Sequence, residues 1–182
     1  QYLNFILLLQ FTSRINLNFL TYISFTFLYF SVIIFVRKEA LFMISKSKVI
    51  VRYAETDQMG IVHHSVYPIW FELARTNLAK EAGFPYSEME KTGVMTPLVE
   101  LKCKYIKPAH YEDELTITAR LSKLTPVRVE FYYEVFNNID SKPICIGTTT
   151  HALVNKEFNI INTKRVHPEI YDILEKMIEK EN

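Results

Sequence analysis

Residues 51–75 read VRYAETDQMGIVHHSVYPIWFELAR, and the periodicity of this segment changes midway. It starts as a strand and breaks at Asp57-Gln58-Met59-Gly60. It then resumes with apolar residues at Val66, Ile69, Trp70, Leu73 and Leu78, flanked by Tyr67, Phe71 and Ala74. That spacing predicts a helix over 65–81 with a broad apolar face. Pro68 falls in its first turn, where a missing N–H costs little; Gly83 lies just beyond its end and Pro85 bars continuation. A helix this apolar has to be wrapped, and the rest of the chain must supply the wrapping.

Period-two segments do so. A first strand is expected over 47–53, with Val49, Val51 and Tyr53 on one face. Four more follow over 97–107, 114–124, 127–136 and 144–154. Their apolar phases are Val99, Leu101, Cys103, Tyr105; Leu115, Ile117, Ala119, Leu121; Val127, Val129, Phe131, Tyr133, Val135; and, less regularly, Ile144, Ile146, Ala152, Val154. Alternation with one polar face indicates antiparallel strands covering a core on one side. A short helix over 86–91 and a C-terminal helix over 168–181 complete an α+β domain, an antiparallel sheet around a central helix.

The front of the chain differs. Residues 1–42 contain no Gly, Pro or Asp and one acid, Glu39. Residues 15–36 carry no charge over about 22 positions, enough for a bilayer that needs roughly 20. Arg14 precedes them and Arg37 and Lys38 follow, a bias that would leave the remainder cytoplasmic. Two readings stand: a membrane anchor, or translated noncoding sequence ahead of a domain beginning at Met43. The domain division is therefore 1–42 and 43–182. A formal net charge of +1 gives no reason to expect nucleic acid as a partner. The two cysteines, Cys103 and Cys145, fall in strand-like runs and read as buried free thiols rather than a disulfide framework. No metal site is expected, since His110, His151 and His167 are scattered and no Cys-x-x-Cys occurs.

Chemistry concentrates where the first strand gives way to the helix. A helix start leaves N–H groups unpaired and able to stabilise developing negative charge, and Asp57 lies a few residues upstream. A carboxylate beside an anion hole is a layout for acyl transfer. Asp57 also reads as a turn or capping residue, and Gly60 as a simple turn glycine or as a site of close backbone approach. Tyr67 is either a lining residue of an acyl pocket or a core aromatic. Glu72 and Arg75, three apart on the helix, are expected to form an ion pair.

The run Tyr53-Ala54-Glu55-Thr56-Asp57-Gln58-Met59-Gly60-Ile61-Val62-His63-His64, with Tyr67, Trp70-Phe71-Glu72 and Arg75, resembles the 4-hydroxybenzoyl-CoA thioesterase family. Within it, the chain is most similar to the short-chain acyl-CoA thioesterase branch associated with the Tol-Pal system. Tyr105-Ile106-Lys107-Pro108-Ala109 followed by Asp113 resembles the second family signature. The resemblance spans residues 45–171 and implies a hotdog fold, hydrolysis of acyl-CoA without a cofactor, and a homodimer or homotetramer with the acyl site at the dimer interface. It also implies that Asp57 is the catalytic carboxylate, as nucleophile or general base. The His64 backbone N–H then polarises the thioester carbonyl, and Gly60 shapes the loop between them. Lys102, Lys104, Lys107, Arg128, Lys164 and Arg165 are candidates for the coenzyme phosphates. Two rival functions remain: a hydratase or dehydratase of acyl thioesters, and a non-catalytic module binding acyl-CoA or a partner.

Overall fold

The computed structural model describes residues 43–178, which fall in one compact unit. The expected anchor or translation artefact over residues 1–42 lies outside them. Among the described residues no helix is long and apolar enough to cross a membrane. In chain order the elements are β1 (Ser45–Ile50), α1 (Tyr67–Glu81), α2 (Tyr86–Lys91), β2 (Leu98–Tyr105), β3 (Glu114–Thr125), β4 (Arg128–Asn137), β5 (Cys145–Ala152), α3 (Thr163–Val166) and α4 (Pro168–Met177). Two 3-10 turns, Tyr53–Glu55 and His64–Val66, lie between β1 and α1.

The five strands form one antiparallel sheet in the order β1-β3-β4-β5-β2. The first two strands therefore sit at opposite edges, and α1, which joins them in sequence, passes over the face between. Its C-terminal half is tied to β1, where Asn77 donates to Ser47 at 2.8 Å and the Ser45 hydroxyl donates to Glu81 at 3.0 Å. Its N-terminal half meets the far side of the sheet. There Phe71 stacks on Tyr133 of β4 with centroids 4.5 Å apart. Gly147 of β5 makes the stack possible, because a Cβ there would run into the Phe71 ring. Trp70, Phe71, Ala74 and Leu78 are buried against this surface, each large side chain contributing about 1.5–3 kcal/mol of hydrophobic stabilisation.

The α+β arrangement matches expectation, and β3 and β4 bury the anticipated phases, Leu115–Leu121 and Val129–Val135 in steps of two, except that Val127 falls half-buried in the turn before β4. Elsewhere the structure corrects the sequence reading. β1 ends at Ile50, and Tyr53 is exposed in the following 3-10 turn. On α1 the exposed Ile69 and Leu73 fall outside the buried stripe, which centres on Phe71 and Ala74 instead. In β5 the buried phase is Cys145, Gly147, Thr149 and His151, so Ile146 faces away from the core. Small and polar residues occupy the inward phase because the Phe71 ring and a buried polar chain fill that space. β2 is the largest departure: Cys103 alone is half-buried and every other residue is exposed.

Candidate active site

Thr56 and Val62 pair as an isolated antiparallel bridge and close a short loop. Inside it the Asp57 N–H donates to the Ile61 carbonyl at 2.9 Å and the Gly60 N–H to the Asp57 carbonyl at 2.9 Å. Gly60 takes φ +75°, a left-handed conformation that a side chain disfavours, so the glycine fits the turn by its backbone. The Asp57 carboxylate accepts from the Met59 N–H through Oδ1 at 2.8 Å. The turn reading of Asp57 therefore holds, and among the described residues no partner is found for Oδ2, which remains for other work. Both of the roles weighed for this residue are compatible with its half-buried position.

Glu55, two residues earlier, is a different kind of carboxylate. It is 6% exposed and accepts from the Arg52 backbone N–H and guanidinium, both at 2.8 Å, and from Trp70 Nε1 at 3.3 Å. Burial alone would raise its pKa. The hydrogen bonds and charge of Arg52, with Trp70, outweigh burial and hold it below the ordinary range. Its carbonyl accepts the His63 N–H at 2.9 Å. Glu55 thus fastens the loop to both α1 and its entry turn.

At that entry, His63 caps the turn by accepting weakly from the Ser65 N–H at 3.4 Å, and the His63 and His64 rings lie 4.0 Å apart. No hydrogen-bond acceptor for the His64 N–H is found among the described residues. The His64 carbonyl, by contrast, accepts from the Tyr105 hydroxyl at 3.0 Å. Sequence reasoning assigned Tyr105 no role; its place in the second signature, on the helix-facing phase of β2, was the available signal. The same signature buttresses the loop, since the buried Ala109 carbonyl accepts the Val62 N–H at 2.8 Å. Asp113 accepts the His110 N–H at 2.8 Å and is a local turn residue.

Asp57, His64, Tyr67, Tyr105, Ile106 and Lys107 are among the residues around a cleft of about 390 Å³, within the range of small-molecule sites. Gly60 shapes the loop without lining the cleft. Tyr67 is both core and lining: it is 3% exposed and packs edge-on against Trp70 and Tyr105. Burial, with smaller contributions from Cys145, Cys103 and Asp113, pushes its phenol up to about 12, so it stays neutral. Lys107 is engaged with Asp140 at 2.9 Å.

The expected Glu72–Arg75 ion pair is not formed. Arg75 instead reaches His151 Nε2 at 2.6 Å, where a buried polar chain continues through Thr149 to the Tyr133 hydroxyl. His151 is pushed down to about 4, by burial first and by the Arg75 charge second, and is neutral near pH 7. The guanidinium joins an imidazole that is already held at Nδ1 by the Thr96 carbonyl at 2.9 Å and at Nε2 by the Thr149 hydroxyl at 3.0 Å, so Arg75 extends a buried network and Glu72 stays exposed. Among the described residues no cluster of His, Cys, Asp and Glu is disposed to hold a metal ion.

Residues 51–174 match the family model described as thioesterase-like superfamily. The chain belongs to that superfamily. A Bacillus subtilis protein named "Putative acyl-CoA thioesterase YneP" is 38% identical over 134 residues, covering 73% of this chain and 96% of the relative. Two solved structures are similar. The DHNA-CoA thioesterase from Staphylococcus aureus superposes with a TM-score of 0.69 at 30% identity, covering 73% of this chain and 89% of that one. Protein TT1821 from Thermus thermophilus superposes with a TM-score of 0.68 at 35% identity, covering 76% and 100%. The sheet wrapped around α1 in this superfamily member is the hotdog fold.

Proposed function

We propose that this chain hydrolyses acyl-CoA to a free acid and coenzyme A, with Asp57 and the His64 N–H as its working groups. One observation carries the reading: a half-buried carboxylate with an uncommitted oxygen and an unclaimed helix-entry N–H line the same cleft. In the proposed reaction the thioester carbonyl oxygen accepts from the His64 N–H, which stabilises the negative charge that develops there. The Asp57 carboxylate attacks the carbonyl carbon or takes a proton from an attacking water. The thiolate of coenzyme A leaves and is protonated. The names of the relatives agree with this substrate class.

Asp57→Asn keeps the size and the Met59 contact but removes the base. Hydrolysis of short acyl-CoAs, followed with a thiol reagent, is expected to fall about a hundredfold or more. A rate near wild type would overturn the assignment. The same reagent separates hydrolysis from hydration, since hydration releases no thiol.

The Tol-Pal-associated branch of the 4-hydroxybenzoyl-CoA family is the proposed affiliation within the superfamily, on the strength of residues 53–64. A homodimer, or a tetramer built from it, is proposed through β2. Among the described residues that strand is an uncovered edge carrying exposed Leu98, Val99 and Leu101, and exposed Ile69 of α1 shares a surface hollow with Leu98 and Leu101; long bare edges invite pairing. Two-fold antiparallel pairing of β2 with its copy would bring the Tyr105 end of one strand to the Leu98 end of the other. Each cleft would then be completed by its neighbour. A cytoplasmic location fits a coenzyme A substrate. The hydrophobic front segment is proposed to be separate from this domain.

A further inference from the structure

Cys103 in β2 and Cys145 in β5 are free thiols whose Sγ atoms lie 3.3 Å apart. The register explains the contact. Cys103 sits opposite Gly147 and Tyr105 opposite Cys145, so the cysteines are diagonal neighbours on adjacent antiparallel strands. The sulfurs are in contact, but diagonal neighbours stand about 7–8 Å apart at Cα, so closing a disulfide bond of about 2.05 Å draws β2 toward β5.

The two thiols are unequal. Cys103 is half-buried and reachable, whereas Cys145 is buried. The hydrogen bond from Cys145 lowers Cys103 to about 7, against the opposing effect of burial. Cys145 is pushed up by sharing that bond and by its own burial, so it remains a thiol. A reachable thiolate beside a buried thiol is the arrangement of an attacking and a resolving cysteine. The pair also lies close enough to Tyr67, a lining residue of the cleft, to act on its phenol. Two residues along the same face of β2, Tyr105 holds the His64 carbonyl.

We propose that Cys103 and Cys145 are an oxidation site at which a peroxide closes a reversible disulfide, shifting β2 beneath the Tyr105–His64 contact. The Cys103 thiolate attacks one peroxide oxygen, the O–O bond breaks, and hydroxide leaves a sulfenic acid behind. The Cys145 sulfur then attacks the Cys103 sulfur. The S–S bond forms, the S–O bond breaks, and the Cys145 proton departs with that oxygen as water. Two thiols and one peroxide become one disulfide and two waters, the sulfurs giving up two electrons. The effect on rate rests on the proposed thioesterase activity; the cross-link does not.

The test is to treat the reduced full-length chain with hydrogen peroxide and map its unreduced digest by mass spectrometry. A peptide joining Cys103 to Cys145, lost on adding dithiothreitol, is expected. In Cys145→Ser, Cys103 is expected to run on to sulfinic acid that dithiothreitol does not reverse. No cross-link, or sulfinic acid at Cys103 in the wild type, would overturn the proposal. In parallel, acyl-CoA hydrolysis by the oxidised protein is expected to drop about tenfold, because small displacements of a reacting geometry are costly, and to return on reduction. Cys103→Ser is expected to hold its own starting rate through the same treatment. A cross-linked protein that keeps the reduced rate would overturn the link to Tyr105 and His64. A reduced protein with no hydrolysis at all would sink the functional reading, while the digest still decides the chemistry.

Discussion

β3 and β2 belong to one sheet and both carry alternating apolar residues, yet they end in opposite conditions. In β3 the phase Leu115, Ile117, Ala119, Leu121 is fully buried, with β1 on one side and β4 on the other. In β2 the phase Val99, Leu101, Tyr105 stays exposed, as does much of the opposite phase. The strands differ in neighbours rather than in pattern. Alternation reports which residues are able to cover a core; burial also requires neighbours on top, which α1 supplies even to the edge strand β1, where Ser45 and Ser47 are buried. Where an edge strand keeps its apolar residues without such neighbours, the missing cover is expected from another molecule.

The sharpest way to break this contrast is to truncate one residue of each strand. Ile117→Ala should cost roughly 2–5 kcal/mol in denaturant unfolding, as expected for a cavity in a packed core. A loss below about 1 kcal/mol would mean that the interior of the sheet is not the tight region described.

A second prediction concerns β5, which lies between the two regimes. His151 is held down to about 4 in the folded chain, against about 6.5 when unfolded. The unfolded state therefore binds the extra proton first as pH falls. Stability should be indifferent to this group above about pH 6.5 and decline between about 6.5 and 4, by an amount of order 2–3 kcal/mol. Thermal melts of wild type and His151→Gln across that window check it. The wild-type slope should flatten in the variant, and equal slopes would show that the imidazole is not held neutral.

The smallest effect is expected at the edge. Leu101→Ala should change stability by less than about 1 kcal/mol at high dilution, since its side chain is already exposed. At higher protein concentration wild type should gain stability and the variant should gain less, if β2 is covered by its copy. Sedimentation at several concentrations would expose a wild-type chain that stays monomeric throughout and so removes the proposed interface.

How much was legible follows the same logic. The helix over 65–81 and the buried phases of β3 and β4 could be read because a single core dictates both. β5 was misread because its inward side chains are chosen by neighbours remote in sequence: Gly147 yields to Phe71, and His151 and Thr149 continue the polar chain from Arg75. The Glu72–Arg75 pair failed for the same reason, since helical spacing offers a partner but the guanidinium extends a buried network instead. At the site, Asp57, His64 and Tyr67 are the candidates the motif offers, and they gather around one cleft. Tyr105 went unassigned because its hydrogen bond to His64 exists only once β2 lies beside the start of α1.

The loop carrying Asp57 is anchored at both stems, by the Thr56–Val62 bridge and by the contacts of Glu55 with Arg52, Trp70 and His63. Met59, exposed at its crest, takes no part in those anchors beyond lending one N–H to Asp57. The Met59 side chain is thus exchangeable while the frame around it, Gly60 with its positive φ included, stays fixed. Because Met59 also lines the cleft, variation at that one exposed side chain can reshape the cleft wall at little cost to folding.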